Sequence, residues 1–337
     1  MTGNRAFRVL KAGLETSIQE LPGRIGYWEQ GIPPSGPVDF WSFRLANLLV
    51  GNHRDTAALE CQFLGPALRF ESAMRVAVTG ADMGAKLDGE PIPMWRTVAV
   101  RAGQVLELGG ARLGARTYVA LAGGIATEPL LGSRAVFHMA GIGGRALKVE
   151  QIVLLGQSAS AGDIYEVPAL RRPPIGDESS RRVACVMGPN DDWLSQDSID
   201  MFLSTPWVVQ AKSNRTGMRL SGSTFEFAPK ALKKRPEHGQ DPSNILDHGY
   251  PLGAINLAGQ TPIILLNDAP STGGFINPFT VPSAEFWKLG QARFNERLNF
   301  HAISVESAQE LRRELDKFVD AEVLVRIPSN SQGLSQS

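Results

Sequence analysis

Between residues 65 and 170 the chain keeps a rhythm that few folds can use: short apolar runs recur about every ten residues. The runs include Met74–Thr79, Thr97–Val100, Val105–Leu108, Thr117–Leu121 and Ile152–Leu155. Turn chemistry separates them, as Asp88-Gly89, Ala102-Gly103, Gly109-Gly110 and Gly123-Gly124. With 35 glycines and 22 prolines, the chain is punctuated as many short strands joined by turns require. The pattern predicts a mainly β protein with a few helices (α+β), built as a barrel or sandwich.

The few helical signals are well marked. Asp39 can cap the segment Phe40–Val50, with Gly51 where a left-handed residue is wanted. Ser195 can cap a second helix running through Met201 and Phe202 until Pro206. Ser307 and Glu310 spell a capping box ahead of Leu311, Leu315 and Phe318, spaced for one helix face. Prolines, a glycine and mixed charges over Ala169–Arg182 mark a boundary, after which an apolar strand begins at Val183–Met187. Two β-rich modules follow from this, over residues 1–170 and 180–327, with no clear internal repeat. The polar tail 328–337 reads as disordered.

Composition excludes several function classes. Lys plus Arg and Asp plus Glu both number 34, so the net charge is zero. A general nucleic-acid binder needs a basic excess. With 43% hydrophobic and 20% charged residues, the chain is globular. No apolar stretch is long enough to span a membrane, and the first residues lack a signal peptide's apolar core. Cys61 and Cys185 cannot form a disulfide framework or a multi-thiolate metal site. A soluble, cytoplasmic protein is expected.

Generic catalytic motifs are missing. There is no Walker loop and no Gly-x-Ser-x-Gly elbow. His238 and His248 flank a polar loop without a third ligand, so no metal site is expected. The run Gly141-Ile142-Gly143-Gly144-Arg145 reads as a tight turn, because no βαβ unit surrounds it. Four segments carry denser polar loop chemistry: GIPPSGPVD (31–39), KSNRTGMRL (212–220), DPSNILDHGYPLG (241–253) and LLNDAPSTGGF (265–275). Each alone is a solvated turn, but loops on a strand scaffold are where binding residues concentrate.

Signatures spread along the chain carry a more specific message. PGRIGYWEQGIPPSGPVD, FRLANLLVGN, TGADMGAKLDGEPIPMW, AGQVLELG, LGSR, STPWVVQAKSNRTGMRL, DPSNI and NDAPSTGGF, then AEFWKLGQ, occur in order. In these the chain resembles the allophanate hydrolase subunit 2 family, the second half of the urea carboxylase carboxyltransferase domain. The resemblance implies cyclophilin-like β-barrel modules. It implies a carboxyltransferase component acting on urea or a similar amide, inactive alone. Carboxybiotin would be supplied by a biotin carboxylase and biotin carrier protein, and the ATP is used by that partner. A homologue of the first half of the carboxyltransferase domain would complete the site, and neither nucleic acid nor membrane would be a partner. A related branch implies the C-type subunit of an ATP-dependent 5-oxoprolinase without biotin, and a third reading is a non-catalytic binding protein. The chain departs from the urea carboxylase pattern at Gln260, where an Asp is usual, and at Asn267, where a Pro is usual.

Carboxyl transfer to an amide nitrogen needs acceptors for substrate N–H groups and donors for developing negative charge. On that reading Asp268 is a urea-facing acceptor or base, and Asn214 and Arg215 anchor a carboxylate or carbonyl oxygen. Ser271, Gly273 and Gly274 form a close-approach loop, and Asn244 is an auxiliary polar contact. Asp268 is equally readable as a turn residue, and Arg215 as half of a structural ion pair. Asp268 is expected to emerge at a strand end, where Asp268→Asn costs under about 1 kcal/mol.

Overall fold

The computed structural model describes residues 5–158 and 162–328. The tail expected to be disordered lies outside them, apart from Pro328.

Strands occur where the rhythm places them, at Met74–Asp82, Thr97–Val100, Val105–Glu107, Leu113–Leu121 and Ile152–Leu154. The fourth begins earlier than its apolar run because Leu113 and Arg116 find register partners in Asp82 and Gln62. Residues 6–154 form two antiparallel sheets. One orders Ile152–Leu154, Ala6–Lys11, Ala67–Phe70, Val105–Glu107, Lys86–Leu87 and Glu90–Pro91. The other orders Glu15–Gln19, Ala58–Gln62, Leu113–Leu121, Met74–Asp82 and Thr97–Val100. Phe7, Val9, Leu68 and Phe70 of the first share one core with Leu59, Val76, Val78 and Val119 of the second.

Alternation along the second sheet decides what its other face does. Leu59 and Cys61 point into that core, so Ala58, Glu60 and Gln62 turn the opposite way, with Tyr118 and Ala120. The helix Phe40–Leu49 covers this second face, burying Phe43, Leu45 and Leu49. Asp39 caps it as expected, accepting from the Ser42 N–H at 3.0 Å, and Gly51 follows in the left-handed region at φ 78°.

The remaining strands close on themselves. Arg182–Met187, Phe279–Thr280, Ala254–Ala258, Thr261–Leu265, Gly217–Ser221, Trp207–Val209 and Arg297–Ala302 form a closed seven-stranded barrel. Its seam is one parallel pairing, of Arg182–Met187 with Arg297–Ala302, and every other pair is antiparallel. Aromatic rings fill it: Phe202 stacks on Phe279 and Phe300, and Trp207 on Phe225. Ser195 caps the helix Gln196–Ser204 as expected.

The capping-box reading of Ser307 is corrected. The helix runs Val305–Asp316, and Ser304, still extended, is the cap that accepts from the Ser307 N–H. Leu311, Leu315 and Phe318 line one cavity, as their spacing for one face requires, although Leu311 is 40% exposed there. We propose a division of the chain near 170–180. It separates the two sheets from the barrel, while the late strand Val325–Ile327 crosses back to pair with Ile164–Glu166.

Candidate active site

The Pro-Ser-Gly-Pro turn before the first helix is held from both sides. The Gly36 N–H donates to Gln19 Oε1 at 3.0 Å, and the Val38 N–H to Glu60 Oε2 at 2.9 Å. From the barrel side, the Ser35 N–H donates to the Asn267 carbonyl at 3.1 Å. Asn267 Nδ2 lies 3.3, 3.4 and 3.1 Å from the carbonyls of Ser35, Gly36 and Pro37. The position where a proline is usual thus carries an amide that grips the turn.

Beside this turn lies a cavity of about 360 Å³. Its walls are largely apolar, from Leu21, Ile25, Phe40, Leu252 and Phe286, with Arg24, Trp28, Ser35 and Asn267 among them. Arg24 is 1% exposed. It donates to three backbone carbonyls, of Leu130 (3.1 Å), Ser133 (3.3 Å) and Ala135 (2.8 Å). No carboxylate pairs with it among the described residues, and its Nη1 has no hydrogen-bond partner. Trp28 Nε1, Ser35 Oγ and Asn267 Oδ1 are buried and unpartnered too. Burial holds the Arg24 guanidinium below its ordinary value, with Glu20, Asp268 and Tyr27 opposing from a distance. A buried cation and three buried polar atoms without partners are costly unless water or a ligand satisfies them. Arg44 and Arg312 also line the cavity, but they are tied to Asp55 and Asp316.

The glycine run at 141–145 is a turn, as expected, and it abuts this arginine. Gly143 has φ 75°, and a Cβ there would sit 2.4 Å from the Ala135 carbonyl and 2.9 Å from Arg24 Nη2.

A second buried arginine lies behind the turn. Arg215, 3% exposed, donates from Nε to Asp268 Oδ2 (3.1 Å) and from Nη2 to Asp268 Oδ1 (3.2 Å). Its Nη1 meets Glu60 Oε1, and Nη2 also reaches the Gly36 carbonyl at 2.7 Å. Glu60 further accepts from the Tyr118 hydroxyl at 2.8 Å and lies 3.5 Å from Arg116 Nε. Burial pushes the Glu60 carboxyl up, but Arg215 and Arg116 outweigh it and hold it below its ordinary value. Burial also opposes the charge of Arg215, and Asp268 and Glu60 together raise it well above the ordinary guanidinium range. Asp39, in the same network, is pushed up to about 6 by burial against the hydrogen bonds of Ser42 and Gln291.

The structure brings Asp268 and Arg215 together, and neither lines the cavity beside the turn. Asp268 is 3% exposed, which corrects the expectation of an emergent residue. Asn214 lies elsewhere, on the wall of a second cavity, where its Oδ1 closes a turn by accepting from the Thr216 and Gly217 N–H groups. Asn244, Gly273 and Gly274 sit in a two-stranded ribbon, Asn244–Gly249 with Thr272–Phe275, against that second cavity's Tyr250. Ser271 accepts from the Tyr250 N–H through its carbonyl at 2.8 Å. A Cβ on Gly273 would lie 2.6 Å from the Tyr250 ring, so the close approach read from sequence is internal packing. Gln260 bonds the Phe225 backbone through both ends of its amide.

Sequence reasoning misses Arg24, Ser35 and Glu60. The first two stand inside quoted signatures, and Glu60 interrupts an apolar run, AALECQFL, which is itself a signal of a buried charge.

Among the described residues no helix is long and apolar enough to cross a membrane. The carboxyltransferase domain family, subdomains A and B, matches residues 30–302. The chain is 38% identical to urea amidolyase of Saccharomyces cerevisiae over 338 residues, covering 97% of this chain and 18% of that protein. It is 31% identical to the C-type subunit of 5-oxoprolinase from Escherichia coli over 318 residues, covering 93% of this chain and 96% of that protein. The solved structure of Kluyveromyces lactis urea carboxylase superposes with a TM-score of 0.88 at 33% identity, covering 97% of this chain and 30% of that one. The chain therefore spans less than a third of the urea-metabolising proteins it matches. With its two sheets, its closed barrel and these matches, the chain belongs to the carboxyltransferase domain A and B family.

Proposed function

We propose that this chain is a carboxyltransferase component of a urea carboxylase-like system, and that the Arg24 cavity is its reaction site. One observation carries the reading: Arg24 is fully buried, lacks a carboxylate partner among the described residues and keeps Nη1 free, and the same cavity is lined by Asn267, whose Oδ1 is also unpartnered. Transfer of a carboxyl group to an amide nitrogen needs these two functions together. Arg24 supplies a fixed positive charge for the carboxyl oxygens. Asn267 Oδ1 accepts an N–H of urea or a similar amide and orients its nitrogen. Ser35 Oγ can serve either partner. The largely apolar walls lower the local polarity, which strengthens both interactions. Carboxybiotin supplied by a partner fits this wall chemistry, with Arg24 for its carboxyl group and Phe40 and Phe286 for its rings, and it supplies the activated carboxyl.

Asp268 and Arg215 act as positioning residues, because their pair ties the turn at Gly36 to the strand end that carries Asn267. A biotin carboxylase with its carrier, using the ATP, and a homologue of the first half of the transferase domain complete the system, in the cytoplasm. The test is the complex assembled with both partners. Arg24→Gln should lower carboxyl transfer to urea by about 100-fold or more, with the melting temperature recorded alongside. Unchanged turnover in a folded variant would remove the cavity from the reaction.

A second reading is a 5-oxoprolinase component, favoured by the match over 96% of that relative's length. Turnover of 5-oxoproline with ATP and no biotin, in a complex containing this chain, would decide for it.

A further inference from the structure

The second cavity, about 290 Å³, lies between the barrel wall and the ribbon of Asn244–Gly249 with Thr272–Phe275, and Asn214, Thr216 and Pro270 line it close in sequence to the Arg215–Asp268 pair. Three observations set it apart from a packing gap. Asn256, on the strand Ala254–Ala258, lines it and is 3% exposed, yet its Oδ1 has no hydrogen-bond partner. Its strand neighbours Ile255 and Leu257 face the barrel interior, so Asn256 is on the outer wall beneath the ribbon. Lys212 and Arg219 also line the cavity, and neither has an ion-pair partner among the described residues. The rest of the wall is largely apolar, from Ile263, Leu265 and Phe275.

A buried amide oxygen calls for a donor, because an unsatisfied acceptor at that depth destabilises the fold. Lys212 and Arg219 are exposed and solvated, so they favour an anion at the cavity without requiring one. The apolar wall calls for a hydrocarbon body between them. We propose that this cavity binds a small apolar carboxylate that also presents an N–H, of the N-acyl amino acid type. The N–H meets Asn256 Oδ1, and the carboxylate lies toward Lys212 and Arg219. The site is separate from the Arg24 cavity and does not depend on the transfer reaction.

Calorimetric titration of the whole chain with three probes tests the assignment. N-acetyl-leucine offers all three features, N-acetyl-leucinamide lacks the charge, and 4-methylpentanoate lacks the N–H. N-acetyl-leucine should bind at least about tenfold more tightly than either analogue. Asn256→Val, which suits a strand, should abolish the advantage over 4-methylpentanoate while leaving the melting temperature unchanged or higher, since it removes an unsatisfied group. The double variant Lys212→Ala, Arg219→Ala should abolish the advantage over N-acetyl-leucinamide. Absence of N-acetyl-leucine binding, equal binding of all three probes, or a folded Asn256→Val that binds as before would each overturn the proposal.

Discussion

Two arginines are buried almost equally deeply in this molecule, and they have opposite surroundings. Arg215 meets two carboxylates, Asp268 and Glu60, and the Gly36 carbonyl. Arg24 meets three carbonyls and keeps one nitrogen free. The first arrangement is complete and joins the barrel to the sheet beside it. The second is incomplete, and it stands at a cavity wall. Burial alone therefore does not distinguish the two arginines; the state of their hydrogen-bonding capacity does.

The largest effect should come from breaking the complete arrangement. Arg215→Met leaves Glu60 and Asp268 buried without their cation and should cost about 3–5 kcal/mol. Arg24→Met also removes an uncompensated charge, so it should cost less, about 1–3 kcal/mol. Guanidinium denaturation of both variants measures the gap, and equal losses would break the comparison.

The next effect concerns the third carboxylate of the Arg215 network. Arg215 already serves Asp268 and Glu60, and the Asp39 carboxyl, ordinarily near 3.8, is pushed up to about 6. An acid raised in the folded state contributes most below its ordinary value and loses that contribution as pH rises through the raised one. The stability difference between the native chain and Asp39→Ala should therefore shrink by about 3 kcal/mol from about pH 4 to about pH 7. Glu60 runs the other way, since its carboxyl is lowered: its contribution is present above the ordinary value and is lost as pH falls through the lowered one. A difference that stays level, or grows with pH, would mean that the network holds a third charge easily.

The smallest effect on folding should come from the incomplete arrangement. Ser35 Oγ has no partner among the described residues, so Ser35→Ala should change stability by no more than about 0.5 kcal/mol. In the assembled complex the same change should slow carboxyl transfer about tenfold, the value of one hydrogen bond to a reacting group. A loss of stability without a loss of rate would make Ser35 part of the turn alone.

Legibility in the sequence follows the range of the interactions. Strands such as Thr97–Val100 and caps such as Asp39 are set by neighbours within a few residues, and both are readable. Ser307 misleads because the capping-box spelling is local, whereas the helix start depends on where the strand Arg297–Ala302 ends. Asp268 and Arg215 stand out in the sequence, but their partnership spans 53 positions and their burial depends on Glu60, farther still. Arg24 is invisible for a different reason. An arginine between Gly23 and Ile25 looks like a surface residue until the loop 130–135 closes over it with its carbonyls.

The late strand Val325–Ile327 lies in register with Ile164–Glu166, with Val325 opposite Glu166. Everything between, the whole barrel included, is an excursion of about 160 residues that leaves and re-enters at neighbouring points, and such a closure is entropically slow to form. During synthesis the two sheets can be complete before the returning strand exists, so this last pairing should latch late.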